Sequence, residues 1–248
     1  IDLGADFRLS DKSAWEKYYG GAHAGTWVYG LPELSPSQKE SISNQTRVAN
    51  PGCYATSISL GLAPAIGFID STDIVVVAAS GTTGAGRNAK INLIASEVMG
   101  YLTSYKFVGV HQHTPAIEQA ITSFGKEKAK VSFTPILAPM PRGILATITA
   151  KLTQQISVEK LHQAFTTYYE LAPFVSVLPL GQLPKTSAVT GTNKAMMQIA
   201  IDENTNRMVV SVAIDNLGKG AAGQAIQNAN IIVGIDQTTG LLHDGIGA

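Results

Sequence analysis

Residues 144–152 read Ile-Leu-Ala-Thr-Ile-Thr-Ala-Lys-Leu, and no other segment restricts the fold as much. Ile144, Ala146, Ile148, Ala150 and Leu152 fall on one side of an extended chain, and Leu145, Thr147, Thr149 and Lys151 on the other. This is a strand with one buried face and one more polar face, the pattern of an antiparallel sheet. Strands are also expected at Phe174–Leu178, Met196–Asp202 and Met208–Asp215, the last two joined by a polar turn around Asn204–Asn206. Asp73–Ala79 is a continuous apolar run, which predicts a strand covered on both faces.

Helical spacing alternates with these strands. After the Asn50-Pro51-Gly52 turn, Tyr54, Ile58 and Leu62 mark a helix beginning at Cys53 and ending at Pro64. A weaker helix is expected near Ala89–Tyr101. Thr114 reads as an N-cap with Pro115 at the first helical position, and Ile117, Ala120, Ile121 and Phe124 form one face. Ser157 caps a helix with Val158, Leu161, Phe165 and Tyr168 inward. Ala221, Ala222, Ala225, Ile226, Ala229, Ile232 and Val233 predict an apolar face on a last helix. Residues 1–50, broken by Gly20-Gly21, Gly25, Gly30, Pro32 and Pro36, have no core of their own. The fold class is α+β, a large mixed or antiparallel sheet with helices on one face.

The 18 basic and 18 acidic side chains balance, so there is no electrostatic footprint for nucleic acid or anionic lipid. No apolar stretch reaches the ~18 residues of a membrane span. The expected partners are small molecules. Charged residues make up only 15% of the chain, against roughly 25% in an average domain, which points to buried sheet faces and a subunit interface. A single cysteine cannot form an intramolecular disulfide, as expected of a reducing, cytoplasmic compartment. The opening Ile1-Asp2-Leu3-Gly4-Ala5-Asp6 reads as the end of a buried strand and suggests an N-terminal truncation.

Cys53 at a helix N-terminus meets the positive end of the helix dipole and unpaired N–H groups, which favour thiolate and make it a candidate nucleophile. Gly52 before it would allow close substrate approach. His111 and His113, two apart on an extended segment, would face the same side. With no third ligand nearby they do not amount to a metal site, and no metal is expected. A structural pair and a general acid/base partner for the thiol are the remaining roles. Ser80-Gly81-Thr82-Thr83-Gly84-Ala85-Gly86-Arg87 lets backbone approach a ligand and ends in a guanidinium suited to carboxylate or phosphate. It has neither the P-loop spacing nor the dinucleotide Gly-x-Gly-x-x-Gly. His162 reads as an exposed helix residue. From the residues alone the chain is a thiol enzyme with an anionic substrate, and a Cys/His hydrolase, a thioester-forming dehydrogenase and a non-catalytic binding module all remain open.

Asn50-Pro51-Gly52-Cys53-Tyr54, His111-Gln112-His113-Thr114-Pro115-Ala116-Ile117-Glu118-Gln119 and Asp215-Asn216-Leu217-Gly218-Lys219-Gly220-Ala221-Ala222-Gly223-Gln224-Ala225 resemble the N-acetyl-gamma-glutamyl-phosphate reductase family. So do the Ser80–Arg87 loop, Ala5-Asp6-Phe7-Arg8-Leu9 and Pro141-Arg142-Gly143-Ile144. Two positions depart from the family pattern, Gln112 for an arginine and Ala116 for a glutamate.

The resemblance implies a catalytic domain like that of aspartate-semialdehyde and glyceraldehyde-3-phosphate dehydrogenases. Residues 1–52 would be a remnant of the dinucleotide-binding domain, 53–214 the catalytic and oligomerisation domain, and 215–248 a helix returning to the first. It implies NADPH-dependent reduction of N-acetyl-glutamyl 5-phosphate to the 5-semialdehyde through a Cys53 thioester, in arginine biosynthesis. His113, ahead of His111, would move protons. Arg8, Asn50, Arg87 and Glu118 would bind substrate, with Arg87 on its carboxylate. Ser80, Gly81, Gly84, Gly86 and Asn216 would border NADP(H). A homo-oligomer, dimer or tetramer, would assemble through the catalytic-domain sheet. The 248 residues, without the Gly-rich pyrophosphate turn, would bind NADP(H) weakly.

Overall fold

The computed structural model describes residues 1–86, 88–125 and 127–245. Its centre is a seven-stranded mixed sheet with order β4-β5-β3-β6-β9-β8-β7. The strands are β3 (Ile69–Ser80), β4 (Thr103–Ser104), β5 (Val131–Leu137), β6 (Ile144–Leu152), β7 (Val175–Val177), β8 (Ala195–Asp202) and β9 (Arg207–Ile214). The alternating strand β6 lies mid-sheet, antiparallel to both β3 and β9, while β3–β5 and β7–β8 pair in parallel. The α+β reading is therefore observed.

Helices α3 (Cys53–Leu62), α5 (Thr114–Thr122) and α6 (Val158–Tyr168) pack near the inward-facing residues, and one core joins Tyr54, Ile58 and Leu62 to Ile144, Ile148, Val210 and Phe165. Ser157 caps α6 by accepting from the Lys160 N–H, as expected. The short helices α4 (Ala95–Val98) and α7 (Thr186–Val189) sit at the loops. The helix expected over Ala89–Tyr101 shrinks to a 3-10 turn at Ile91–Leu93 followed by α4.

Three expectations about burial are corrected. In β3, Ile74, Val76 and Ala78 are buried but Val75 and Val77 are 37% and 41% exposed. The helices cover only one face of the sheet, so a run of apolar residues does not here mean double cover. The last helix, α8 (Gly223–Ile232), turns a different face inward from the one its apolar residues suggest. Gln224, Gln227 and Asn228 are fully buried, while Ile226 is 45% and Val233 67% exposed. Those amides are recruited by polar groups in need of partners: Asn228 Nδ2 donates to Gly30 O and to Asn50 Oδ1, and Gln227 Nε2 donates to Glu33 Oε1. Buried polar groups cost too much unpaired for the apolar face to prevail. His162 is likewise half-buried rather than exposed, with Nε2 2.8 Å from Leu178 O.

The first fifty residues form α1 (Lys12–Tyr18), the parallel pair β1 (Val28–Tyr29) and β2 (Val48–Ala49), and α2 (Gln38–Ser43). They close on α8 through a small apolar cluster of Ile42, Val48 and Ile231. A π-helical turn, Gly218–Ala222, precedes α8. Its Lys219 is fully buried and donates to Glu33 Oε1 at 2.7 Å and Gln227 Oε1 at 2.8 Å. Removing one partner of such a pair strands the other charge. Lys219→Met is expected to cost about 3–5 kcal/mol, and Lys219→Met with Glu33→Gln to recover much of it. Chemical denaturation of the three proteins checks this; equal losses in the single and double variants would refute it.

Candidate active site

Cys53 is the first residue of α3 and Gly52 its N-cap. The N–H groups of Cys53 and Tyr54 reach the thiol and, with Arg8, pull its pKa down, but burial outweighs them and pushes the thiol up to about 11. This corrects the expectation of a lowered pKa: a helix N-terminus supplies partial charge, whereas loss of water penalises the whole thiolate.

His113 is the N-cap of α5, one residue earlier than the cap expected at Thr114. A Cβ on Gly52 would collide with the His113 ring, so the close approach that Gly52 permits is taken by the histidine. The segment before it is not extended. Lys106, Val108 and Gly109 have φ of 43°, 64° and 72°, and the loop turns the two imidazoles edge to face with centroids 4.9 Å apart. His111 Nδ1 accepts the His113 N–H at 3.0 Å, which places the proton of a neutral ring on Nε2. Its ring lies among Tyr54, Tyr105 and Phe133, with centroids 5.1–5.9 Å away. Burial and Lys106 lower His111 to about 4. Burial, with His111, Arg8 and Lys106, drives His113 well below its usual value. Both rings are therefore neutral near pH 7. Tyr105 donates to the Tyr54 hydroxyl at 2.9 Å.

Two cavities meet at Cys53, Gly84 and His113. The larger, about 440 Å³, is lined also by Ser80, Gly81, Lys90, Tyr105, Lys106 and His111. The second, about 380 Å³, is lined also by Arg8, Asn50, Gly86, Asn216, Leu217 and Gly220. No carboxylate lines either one among the described residues. Arg8 is held by donating through Nε to Asn50 O at 2.6 Å and through Nη2 to Leu3 O at 3.0 Å. Gln119 on α5 accepts the Ser10 N–H and donates to Arg8 O, fixing that loop. Asn216 accepts the Gly143 N–H at 2.7 Å and donates to Thr83 Oγ1 at 3.0 Å, leaving one N–H and one lone pair without a partner among the described residues. Gly220 is packed so closely that a Cβ would come 2.7 Å from Cys53 Cβ.

The sequence-predicted residues thus fall into three groups. Cys53, His113, His111, Arg8, Asn50, Ser80, Gly81, Gly84, Gly86 and Asn216 line the joined cavities. Glu118 does not: its Oε1 accepts the Val131 N–H at 3.1 Å. Arg87 lies outside the described residues. Sequence reasoning missed Lys90, Lys106, Tyr105 and Gly220, which belong to no motif of their own; Gly220 reaches the site by packing on distant Cys53 and Lys106 through Gln112. Among the described residues no cluster of three His, Cys, Asp or Glu could hold a metal ion, and no helix is long and apolar enough to cross a membrane.

Residues 53–216 match the family model described as semialdehyde dehydrogenase, dimerisation domain. The chain is 55% identical over 248 residues to an N-acetyl-gamma-glutamyl-phosphate reductase of Acidothermus cellulolyticus, covering 99% of this chain and 72% of that protein. It is 54% identical, with the same coverage, to the one of Salinispora tropica. Aspartate semialdehyde dehydrogenase II from Vibrio cholerae superposes with a TM-score of 0.65 at 18% identity, over 82% of this chain and 67% of that one; the Francisella tularensis aspartate semialdehyde dehydrogenase gives 0.63 at 16%, over 82% and 70%.

A thiol held protonated by burial reacts slowly. Iodoacetamide is expected to alkylate Cys53 more slowly than free cysteine at pH 7, with a rate rising about tenfold per pH unit between 7 and 9. A rate at or above that of free cysteine at pH 7 would overturn the raised pKa.

Proposed function

The chain belongs to the N-acetyl-gamma-glutamyl-phosphate reductase family, and on that premise we propose that it reduces N-acetyl-glutamyl 5-phosphate to N-acetyl-glutamate 5-semialdehyde with NADPH, in cytoplasmic arginine biosynthesis. The proposal rests on one observation, the meeting of two cation-bearing cavities at a thiol with a neutral imidazole beside it.

The Cys53 Sγ proton passes to His113 as the sulfur bonds to the acyl carbon, so that thiolate forms only with its target in place. As the acyl C–O bond breaks, phosphate leaves toward Arg8 and Asn50, where the guanidinium offsets its charge. The backbone N–H groups of Cys53 and Tyr54 suit negative charge beside the sulfur. His111, with its proton on Nε2, stands as a second donor beside His113.

Leu217, the side-chain-free positions Gly84, Gly86 and Gly220, and the spare polar atoms of Asn216 fit a flat amide-bearing ring such as nicotinamide. When bound there, the cofactor supplies the hydride that reduces the thioester. Protonated His113 would then give its proton to the oxygen of the reduced adduct, take it back as the C–S bond breaks and the aldehyde leaves, and return it to the sulfur, which restores the thiol and the neutral imidazole.

In the protein expressed from its complete gene, Cys53→Ser is expected to abolish phosphate-dependent oxidation of N-acetyl-glutamate 5-semialdehyde, and His113→Asn to lower kcat about 10²- to 10⁴-fold. Near-normal turnover in either variant would refute its assignment, and acyl-phosphate cleavage equally fast without NADPH would favour a hydrolase.

The open sheet face, with Val75 and Val77 half-exposed beside Thr147 and Thr149, is the proposed dimer surface. Val77→Lys is expected to shift the sedimentation of the protein toward monomer, and an unchanged sedimentation coefficient would place the interface elsewhere.

A further inference from the structure

The mechanism gives Arg8 to the phosphate but leaves two cations of the larger cavity without a task. Lys90 and Lys106 both line it, and neither has a carboxylate partner among the described residues. Lys106 is exposed on its loop and tethered at its head. Its Nζ donates to Gln112 Oε1 at 2.6 Å, and Gln112 lies between the two histidines of the site. Its backbone takes the left-handed region, φ 43°, with Val108 and Gly109 also at positive φ. Such strain in non-glycine residues persists where the surroundings enforce it and clusters at ligand sites. The ammonium is close enough to depress both His111 and His113, and is itself depressed by burial and by Lys90. A bound anion would relieve that crowding of positive charge.

The substrate of the reductase reading has two anionic ends. The phosphate is attached to the carbon that sulfur attacks, and three carbons separate that carbon from the α-carboxylate. The two cavities join at Cys53 and each carries cations, Arg8 in the smaller and Lys90 with Lys106 in the larger. With phosphate and the nicotinamide ring assigned to the smaller cavity, the larger, about 440 Å³, is left for the carbon chain and acetamido group.

We infer that Lys106, oriented by Gln112 and assisted by Lys90, binds the α-carboxylate of the acyl substrate and sets the preference for substrates that carry one. The ammonium keeps two further N–H donors for the carboxylate oxygens. The inference rests on the reductase reading for the identity of the ligand, and the test separates the two.

The protein from its complete gene, as wild type, Lys106→Met and Lys90→Met, is titrated calorimetrically with N-acetyl-L-glutamate and with 4-acetamidobutanoate, the same acid without its α-carboxylate. The matching aldehydes, N-acetyl-glutamate 5-semialdehyde and 4-acetamidobutanal, are compared by kcat/KM in the phosphate-dependent oxidation. Wild type is expected to prefer the carboxylated member of each pair, and Lys106→Met to reduce that preference at least about tenfold, the size of one charge-assisted hydrogen bond. Lys90→Met is expected to reduce it less. No preference in the wild type, or a preference that survives Lys106→Met in the binding arm, overturns the inference. A wild type that binds with the expected preference but oxidises neither aldehyde supports the anion site and counts against the reductase reading.

Discussion

The position of Cys53 depends on a buried ion pair that never touches it. Lys219 and Glu33 are 186 residues apart, and their contact ties the π-helical turn to the N-terminal layer. The next residue, Gly220, packs directly on Cys53. Just before the turn, fully buried Asp215 accepts from the Leu217, Gly218 and Gly191 N–H groups and from Arg142. The start of the turn is thus pinned by two carboxylates, one of them paired with an ammonium and the other with a guanidinium. Such pairs are a weak source of net stability, but breaking one is costly. They hold Gly220 against Cys53 and Asn216 against Thr83 in a single arrangement, as a purely apolar contact would not.

Two opposing electrostatic effects act on the thiol, and their sizes differ. The first turn of α3 offers two N–H groups and Arg8 contributes a more distant charge, while burial removes the water that would solvate a thiolate. The same desolvation neutralises both imidazoles, so the resting site holds no thiolate–imidazolium pair. In the proposed reaction, proton transfer between the two neutral groups is drawn forward by bond formation to the acyl carbon.

Much of this was legible in the sequence where the signal is local. The alternation of Ile144–Leu152 gave strand β6 and its buried face, and Asn50-Pro51-Gly52 marked the start of α3 and put Cys53 at its first position. The glycines of Ser80–Gly86 marked a wall with little side-chain bulk. What could not be read depends on partners far along the chain. The buried face of α8 is chosen by Glu33, Gly30 and Asn50, to which its amides bond, and apolar periodicity carries no information about them. The exposure of Val75 and Val77 depends on which sheet face the helices cover. The thiol pKa failed for a similar reason: the helix dipole is visible in sequence, but the burial that overrides it comes from segments such as Gly220 and His113.

The charge of the site is out of balance in a way the whole chain is not. The protein has 18 basic and 18 acidic side chains, yet the joined cavities present Arg8, Lys90 and Lys106 with no carboxylate among the described residues. Their neutral histidines add no charge of either sign. A cavity wall with unpaired cations is costly in an apolar setting and tolerable where water or an anion reaches it. The cations stand apart, to either side of the thiol, so a ligand with a single anionic group satisfies only one side. A ligand anionic at both ends, with its electrophilic carbon between them, satisfies both and is drawn across Cys53 as it does so. On the proposed reading, charge at both ends orients the reacting carbon before any hydrogen bond to the carbonyl is made.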